Sequence, residues 1–305
     1  MQLDGSDDIM KKRSIIVRGM SMKISTEVAS IAKITGMEKA VELCAKAGFD
    51  AWDFSMFDMH KLAMLPLPFK NQLNSSKYLK LARSLRKISD DNGIVCNQSH
   101  APFPVRLPAV RSVLELAIEC TALAGGKICI IHPDNNKTAE QNAEMFLELL
   151  PFAKECGVKI ATENMWNWDI IKNRSSFAAC ATGEDFRKHI DVVNDEYLVA
   201  CLDLGHAEMQ GSGDGAVNMI KTLGHRLQAL HIHDNDRLHD SHQIPFSMDI
   251  DFISVVKALK EIDYKGYFTL EADQYMKSYN KDNAFEGVVK LKESARKLAD
   301  EFDKL

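Results

Sequence analysis

The chain has 305 residues, 46% of them hydrophobic and 27% charged, with a formal net charge of −5 at pH 7. That length can bury a large core. The mild acidity argues against non-specific binding to nucleic acid or an anionic membrane surface. No stretch approaches the roughly 20 apolar residues of a membrane-spanning helix.

Residues 1–20, opening MQLDGSDDIMKKRS, lack the apolar run of a secretory signal and read as a peripheral extension. A cytoplasmic protein is expected. Short β-branched, apolar runs at 22–25, 51–55, 94–99, 128–132, 159–163, 199–204, 229–233 and 267–271 predict eight strands. Helical periodicity at 36–48, 74–91, 107–124, 138–156, 181–190, 214–224, 250–262 and 283–303 predicts eight helices between and after them. Strict alternation of eight and eight is the count of a (β/α)8 TIM barrel, here a single domain over 1–305. Gly48, Gly93, Gly125, Gly126, Gly157 and Gly266 precede strands and suit left-handed helix caps. The rival, an open doubly wound sheet, lacks its GxGxxG after the first strand. None of the seven cysteines forms a CxxC pair, so they read as free buried thiols.

The informative residues stand at the strand ends. His100, His132, Glu163, Asp203, His231 and Glu271 fall there against propensity, and in this fold carboxyl ends of strands converge on one rim. Crowded together, Glu163, Asp203, His231 and Glu271 would repel one another, and a divalent metal resolves that repulsion. Mn²⁺ or Zn²⁺ is expected ahead of Co²⁺ or Mg²⁺.

With these residues stand the stretches SHAPF (99–103), IHP (131–133), ATEN (161–164), LDLGH (202–206), LHIHDND (230–236), DSHQIP (240–245) and TLEAD (269–273). In this order they resemble the xylose-isomerase-like superfamily of metal-dependent barrels, across essentially the whole chain. The superfamily includes ketose 3-epimerases, inositol-catabolism isomerases and endonuclease IV. The resemblance implies that Glu163, Asp203, His231 and Glu271 hold the metal, and that Glu163 and Glu271 are the catalytic acid/base pair. The expected function is isomerisation or epimerisation of a sugar, sugar phosphate or polyol through an enediolate, in a dimer or tetramer.

Substrate contacts are expected from His206, Arg237 and Asp169, the last standing where ketose epimerases usually have a glutamate. His100, Trp166 and His233 join them. His231 and His233 point to the same side of their strand. His231 is taken as the ligand for its six-residue spacing to Arg237, which leaves His233 to the substrate or a second metal.

The alternative is a zinc-dependent phosphodiesterase like endonuclease IV, whose three-ion set is matched by adding His132, Asp240 and His242, with His100 and His206, to the four ligands. A non-enzymatic sugar-binding barrel is the third reading. Against the second, the strand-end loops MFDMHKLAMLPLPFKNQ and ENMWNWDIIKNRSS carry few cations, so nucleic acid is not the expected partner. Met56, Met59, Met64 and Leu65 form an apolar stretch suited to covering a site or an interface. The glycine-rich 211–215 segment lacks a P-loop lysine.

Overall fold

The computed structural model describes residues 21–59, 73 and 77–305. Eight parallel strands form the barrel: β1 (Ile24–Thr26), β2 (Ala51–Ser55), β3 (Val95–His100), β4 (Ile128–Ile130), β5 (Lys159–Glu163), β8 (Leu198–Asp203), β9 (Leu227–His231) and β10 (Phe268–Leu270). β2-β3-β4-β5-β8-β9 pair in one six-stranded sheet, and β1 pairs with β10. Isolated parallel bridges at Glu27–Asp53 and Ile232–Leu270 close the two seams, completing the ring. A short antiparallel hairpin, β6 (Asn167–Asp169) with β7 (Arg174–Ser176), stands above β5.

Helices α1 (Ala29–Thr35), α2 (Met37–Ala47), α3 (Tyr78–Asn92), α4 (Pro108–Arg111), α5 (Leu114–Ala124), α6 (Ala139–Cys156), α7 (Gly183–Asp191), α8 (Leu204–Glu208), α9 (Ala216–Leu223), α10 (Phe252–Glu261) and α11 (Ala284–Asp303) follow the strands. Each longer helix buries one stripe: α3, for example, turns Leu81, Ala82, Leu85 and Ser89 inward along an otherwise charged sequence. Thr138 and Gln141 build a reciprocal capping box that starts α6. The main core fills the layer between helices and sheet.

Inside the ring a second, smaller core contains Ile130, Ala161, Val199, Cys201 and Ala229, from β4, β5, β8 and β9. The opposite interior wall is polar. Ser25 Oγ donates to Asn97 Oδ1 at 2.6 Å, Asn97 Nδ2 to Thr269 Oγ1 at 3.0 Å, and Gln98 Nε2 to Asp53 Oδ2 at 2.9 Å. A register shift between β2 and β3 allows this, with Trp52 opposite Cys96 but Asp53 opposite Gln98. Asn97 is the extra residue of a β-bulge, so adjacent side chains reach the same network.

Several expectations need correcting. A separate helix α1 precedes the expected 36–48 helix, and the 107–124 helix is broken at Ser112-Val113. The loop after the fifth barrel strand contains the β6–β7 hairpin. Gly48, Gly93, Gly125 and Gly157 are left-handed caps, whereas Gly126 has no positive φ, and neither has Gly266. A Cβ there would lie 2.2 Å from the Tyr264 hydroxyl oxygen, so close packing accounts for that glycine. Met56 and Met59 are fully buried; Met64 and Leu65 lie outside the described residues. None of the described helices is long and apolar enough to cross a membrane.

Candidate metal centre at the strand ends

Period-two alternation explains how the polar residues converge. Side chains at Ala161, Val199, Cys201, Ala229 and Ile130 face the barrel axis. Two residues further along the same strands and their extensions come Glu163, Asp203, His231 and His132, so each inherits that direction. Thr269, in the interior network, is followed in the same way by Glu271. The ligating atoms of Glu163, Asp203, His231 and Glu271 all lie within 4.8 Å of one another, and all four residues are buried. Atoms sharing one ion, each about 2.0–2.3 Å from it, stand roughly 4 Å apart, so this set fits a divalent cation.

The cluster is tied together internally. His231 Nδ1 lies 2.9 Å from Glu163 Oε1 and 3.4 Å from Glu271 Oε2. On the other carboxylate oxygen of Glu163, His132 Nε2 approaches to 3.1 Å and His100 Nε2 to 3.5 Å. His100 and His132 face each other through their Nε2 atoms at 2.9 Å. With Glu163 they form a further group able to hold a cation.

A neighbouring group combines His206, His233, Asp240 and His242, again within 4.8 Å. Asp203 caps the N-terminus of α8, accepting the His206 amide at 2.7 Å, and the helical turn carries His206 over the rim. Gly205 leaves room for its neighbour: a Cβ there would lie 1.9 Å from His233 Cε1. Asp240 and His242 come from the segment before α10, which Asp234 holds in place. The Asp234 carboxylate accepts the amides of Asn235, Ser247, Met248 and Ile250 at 2.8–3.1 Å.

Three histidines have their tautomer fixed by the backbone. The Nδ1 atoms of His100, His206 and His242 lie 2.7, 2.9 and 2.6 Å from the carbonyls of Ala101, Asn164 and Glu271. A carbonyl only accepts, so each Nδ1 carries the proton and each Nε2 faces the site. In the second group, both ring nitrogens of His233 and Asp240 Oδ1 are buried without a hydrogen-bond partner, as is Asp203 Oδ2 of the first group. His233 Nε2 lies 3.1 Å from Asp203 Oδ1, yet no hydrogen bond forms between them. His233 Nε2 and Asp240 Oδ1 stand 3.5 Å apart, and unpartnered ligand atoms that close are what a cation site requires.

The electrostatics follow from burial and crowding. Burial would raise Glu163, but the His231 charge and hydrogen bonds from His100, His132 and His231 hold it well below the usual carboxylate range. Glu271 is pushed up to about 7, by burial and then by Glu163, against the opposing charge of His231. Burial lowers His132 to about 4. His206 rises to about 10 because Asp203 and Asp240 outweigh its burial. Protons thus compensate these carboxylates where no cation does.

A cavity of about 380 Å³ opens above the cluster, lined by His100, His132, Glu163, Trp166, His206, Asp240, His242 and Glu271 among others. Phe103 stacks on His132 with centroids 4.7 Å apart, and Trp166 stands 6.3 Å from His206. Asp203, His231 and His233 are fully buried and do not line the cavity.

Besides His233, two expected contacts lie outside the cavity lining. Arg237 does not line the cavity; at φ 62° its side chain is half exposed and paired with Glu208 Oε2 at 3.2 Å. Asp169 also misses the cavity, because its carboxylate accepts the amides of Ile171 and Lys172 at 3.0 Å within the hairpin turn. The lining instead includes Arg106, Asn135, Asn136, Met165 and Asn167. Their signal was the polar or cationic tail of HAPFPVR and IHPDNN. Packing explains Gly211 and Gly213, whose Cβ atoms would lie 2.3 Å from the Ser175 and 2.1 Å from the Ala207 carbonyl oxygens, and a φ of 88° explains Gly215.

Fold and site define a (β/α)8 barrel whose rim carries residue groups able to hold a cation, and the family model for the xylose isomerase-like TIM barrel matches residues 41–299. The chain belongs to that family. It is 23% identical over 249 residues to the L-ribulose 3-epimerase of Methylomonas sp. strain DH-1, covering 78% of each chain. Among solved structures, a D-tagatose 3-epimerase-like protein superposes with TM-score 0.68 at 22% identity, over 93% of this chain and 99% of that one. The IOLI protein with a binding zinc atom gives TM-score 0.67 at 18% identity, over 92% and 99%. Identities this low establish the fold.

Proposed function

We propose that the protein is a metal-dependent sugar isomerase or epimerase, with Glu163, Asp203, His231 and Glu271 as ligands. The observation that carries this reading is two carboxylates, Glu163 and Glu271, joined by His231 at the floor of a cavity of single-sugar size. A divalent metal there would polarise a carbonyl and its neighbouring hydroxyl, acidifying the C–H between them. Of the two glutamates, one takes the proton from that carbon and the other returns it, on the opposite face or at the adjacent carbon. His100 and His132 orient Glu163 through its second oxygen. His206 and His242 are within the lining to meet substrate oxygens, while Phe103 and Trp166 offer an apolar wall to a C–H face. The relatives' activities, L-ribulose 3-epimerase among them, support this class without fixing the sugar.

Deuterium uptake at the carbon next to the carbonyl, across a ketose panel in D₂O with Mn²⁺- or Zn²⁺-loaded protein, tests the reading. Exchange lost in Glu271→Gln is expected. Loaded protein that exchanges no member of the panel would count against it.

The orphaned atoms around His206, His233, Asp240 and His242 favour a second reading, a zinc-dependent phosphodiesterase. Among the described residues Arg106 is the one lysine or arginine lining the cavity, which is little cationic surface for a nucleic-acid backbone. Incision of an abasic-site duplex, abolished by His242→Ala, would establish this alternative.

A further inference from the structure

We propose that Asp53 is a positioning residue that turns His231 so that it ligates through Nδ1, and strengthens it as a metal donor. The inference rests on the reading that Glu163, Asp203, His231 and Glu271 hold a metal. His231 differs from the other histidines of the rim. His100, His206 and His242 are fixed at Nδ1 by backbone carbonyls and present Nε2. His231 is inverted: its Nδ1 faces Glu163 Oε1 at 2.9 Å, and its Nε2 faces Asp53 Oδ2 at 3.3 Å. Carboxylates only accept, so without a cation both nitrogens carry protons; a metal held by the Glu163 group would displace the one on Nδ1 and leave Nε2–H on Asp53.

Asp53 belongs to neither metal group, and it reaches His231 from below the rim, on β2. It is fully buried, and no lysine or arginine pairs with it among the described residues. An isolated buried carboxylate is costly. This one is aimed with care: Gln98 Nε2 donates to the same oxygen at 2.9 Å, and the β-bulge at Asn97 brings Gln98 there. Thr269 Oγ1 in turn donates to Gln98 Oε1 at 3.3 Å. A carboxylate behind an imidazole N–H raises electron density at the other nitrogen more than a neutral carbonyl does, which tightens metal binding. The polar half of the barrel interior thereby acquires a purpose that packing alone does not supply.

Zinc affinity, measured by competition with a chromophoric chelator, tests this for wild type, Asp53→Asn, Asp53→Ala and Thr269→Val. Asp53→Ala is expected to bind about 10–100-fold more weakly. Asp53→Asn keeps an acceptor oxygen but loses the charge, and should fall in between. Thr269→Val removes one hydrogen bond at the far end of the network and should weaken binding less than either Asp53 variant does. In cadmium-113-loaded, nitrogen-15-labelled protein, His231 should couple to the metal through Nδ1, and Asp53→Ala should weaken or lose that coupling. A general packing role would leave the coordinating nitrogen unchanged. If Asp53→Ala fails to fold, Asp53→Asn carries the test.

Wild-type affinity in both Asp53 variants, or an equal loss in Thr269→Val, would overturn the proposal. Wild-type protein that takes up no ion would instead refute the metal reading beneath it.

Discussion

The two ligand groups at the rim are built from the same residue types but satisfied in different ways. Around Glu163 and His231 the polar atoms answer one another: imidazole nitrogens meet carboxylate oxygens at 2.9–3.5 Å. Around His233 and Asp240 they do so only in part: His242 Nε2 meets Asp240 Oδ2 at 3.1 Å, but both ring nitrogens of His233 and Asp240 Oδ1 lack partners, as does Asp203 Oδ2 of the first group. Protons can therefore stand in for a cation more fully around Glu163 and His231 than around His233. On the reading proposed above, the first group would both hold a metal and move protons, and the unmet atoms at His233 and Asp240 mark a candidate second seat.

The largest expected effect separates the groups by chemistry. Glu271→Gln should cut isotope exchange by on the order of 10²–10⁴-fold, the usual contribution of a general acid or base, while much of the metal is retained. An unchanged rate would remove Glu271 from the mechanism. His242→Ala, from the other group, should leave part of that exchange intact.

Next in size is Gly205→Ala. Its Cβ would overlap the His233 ring, so His233 must leave its place. Elemental analysis should then show loss of any ion bound by His206, His233, Asp240 and His242, with the Glu163 group still loaded. Loss of both together would mean that the groups form one indivisible centre.

Asp234→Ala removes a buried acceptor of four backbone amides. It should destabilise the protein by about 1–3 kcal/mol or more in denaturant melts and loosen the segment carrying Asp240 and His242. The smallest effect concerns Glu27, a buried carboxyl at the end of β1 with both oxygens on Ser30. Burial raises it from 4.5 to about 7. A raised folded pKa gives stability that is complete below the unfolded value and lost as pH rises through the folded one. Glu27→Gln can keep both contacts to Ser30 without the charge. Its melting temperature should match wild type near pH 4.5 and exceed it above pH 7; a constant gap would contradict the assignment.

Much of the barrel was legible because its signals are local and periodic. Apolar alternation located all eight strands to within a few residues, and a period of two carried Ala161 to Glu163 and Ala229 to His231. That period is why strand-end residues could be grouped before any coordinates were known. The β-bulge at Asn97 breaks it, so Asn97, Gln98 and their link to Asp53 left no comparable trace. Short α8 was hidden because LGHAE is too brief for helical periodicity. Arg237 was expected from its match, six residues after His231, to the substrate-gripping arginine of the ketose epimerases, and such a match is blind to a left-handed backbone and to the competing Glu208 carboxylate. Asp169 failed for a related reason, since a hairpin turn claimed its oxygens locally.

Anomalous X-ray scattering from crystals grown with Mn²⁺ or Zn²⁺ tests the central claim most directly. The account predicts a peak within about 2.0–2.3 Å of atoms from Glu163, Asp203, His231 and Glu271. A peak confined to His206, His233, Asp240 and His242, with the first group empty at saturating metal, would contradict it.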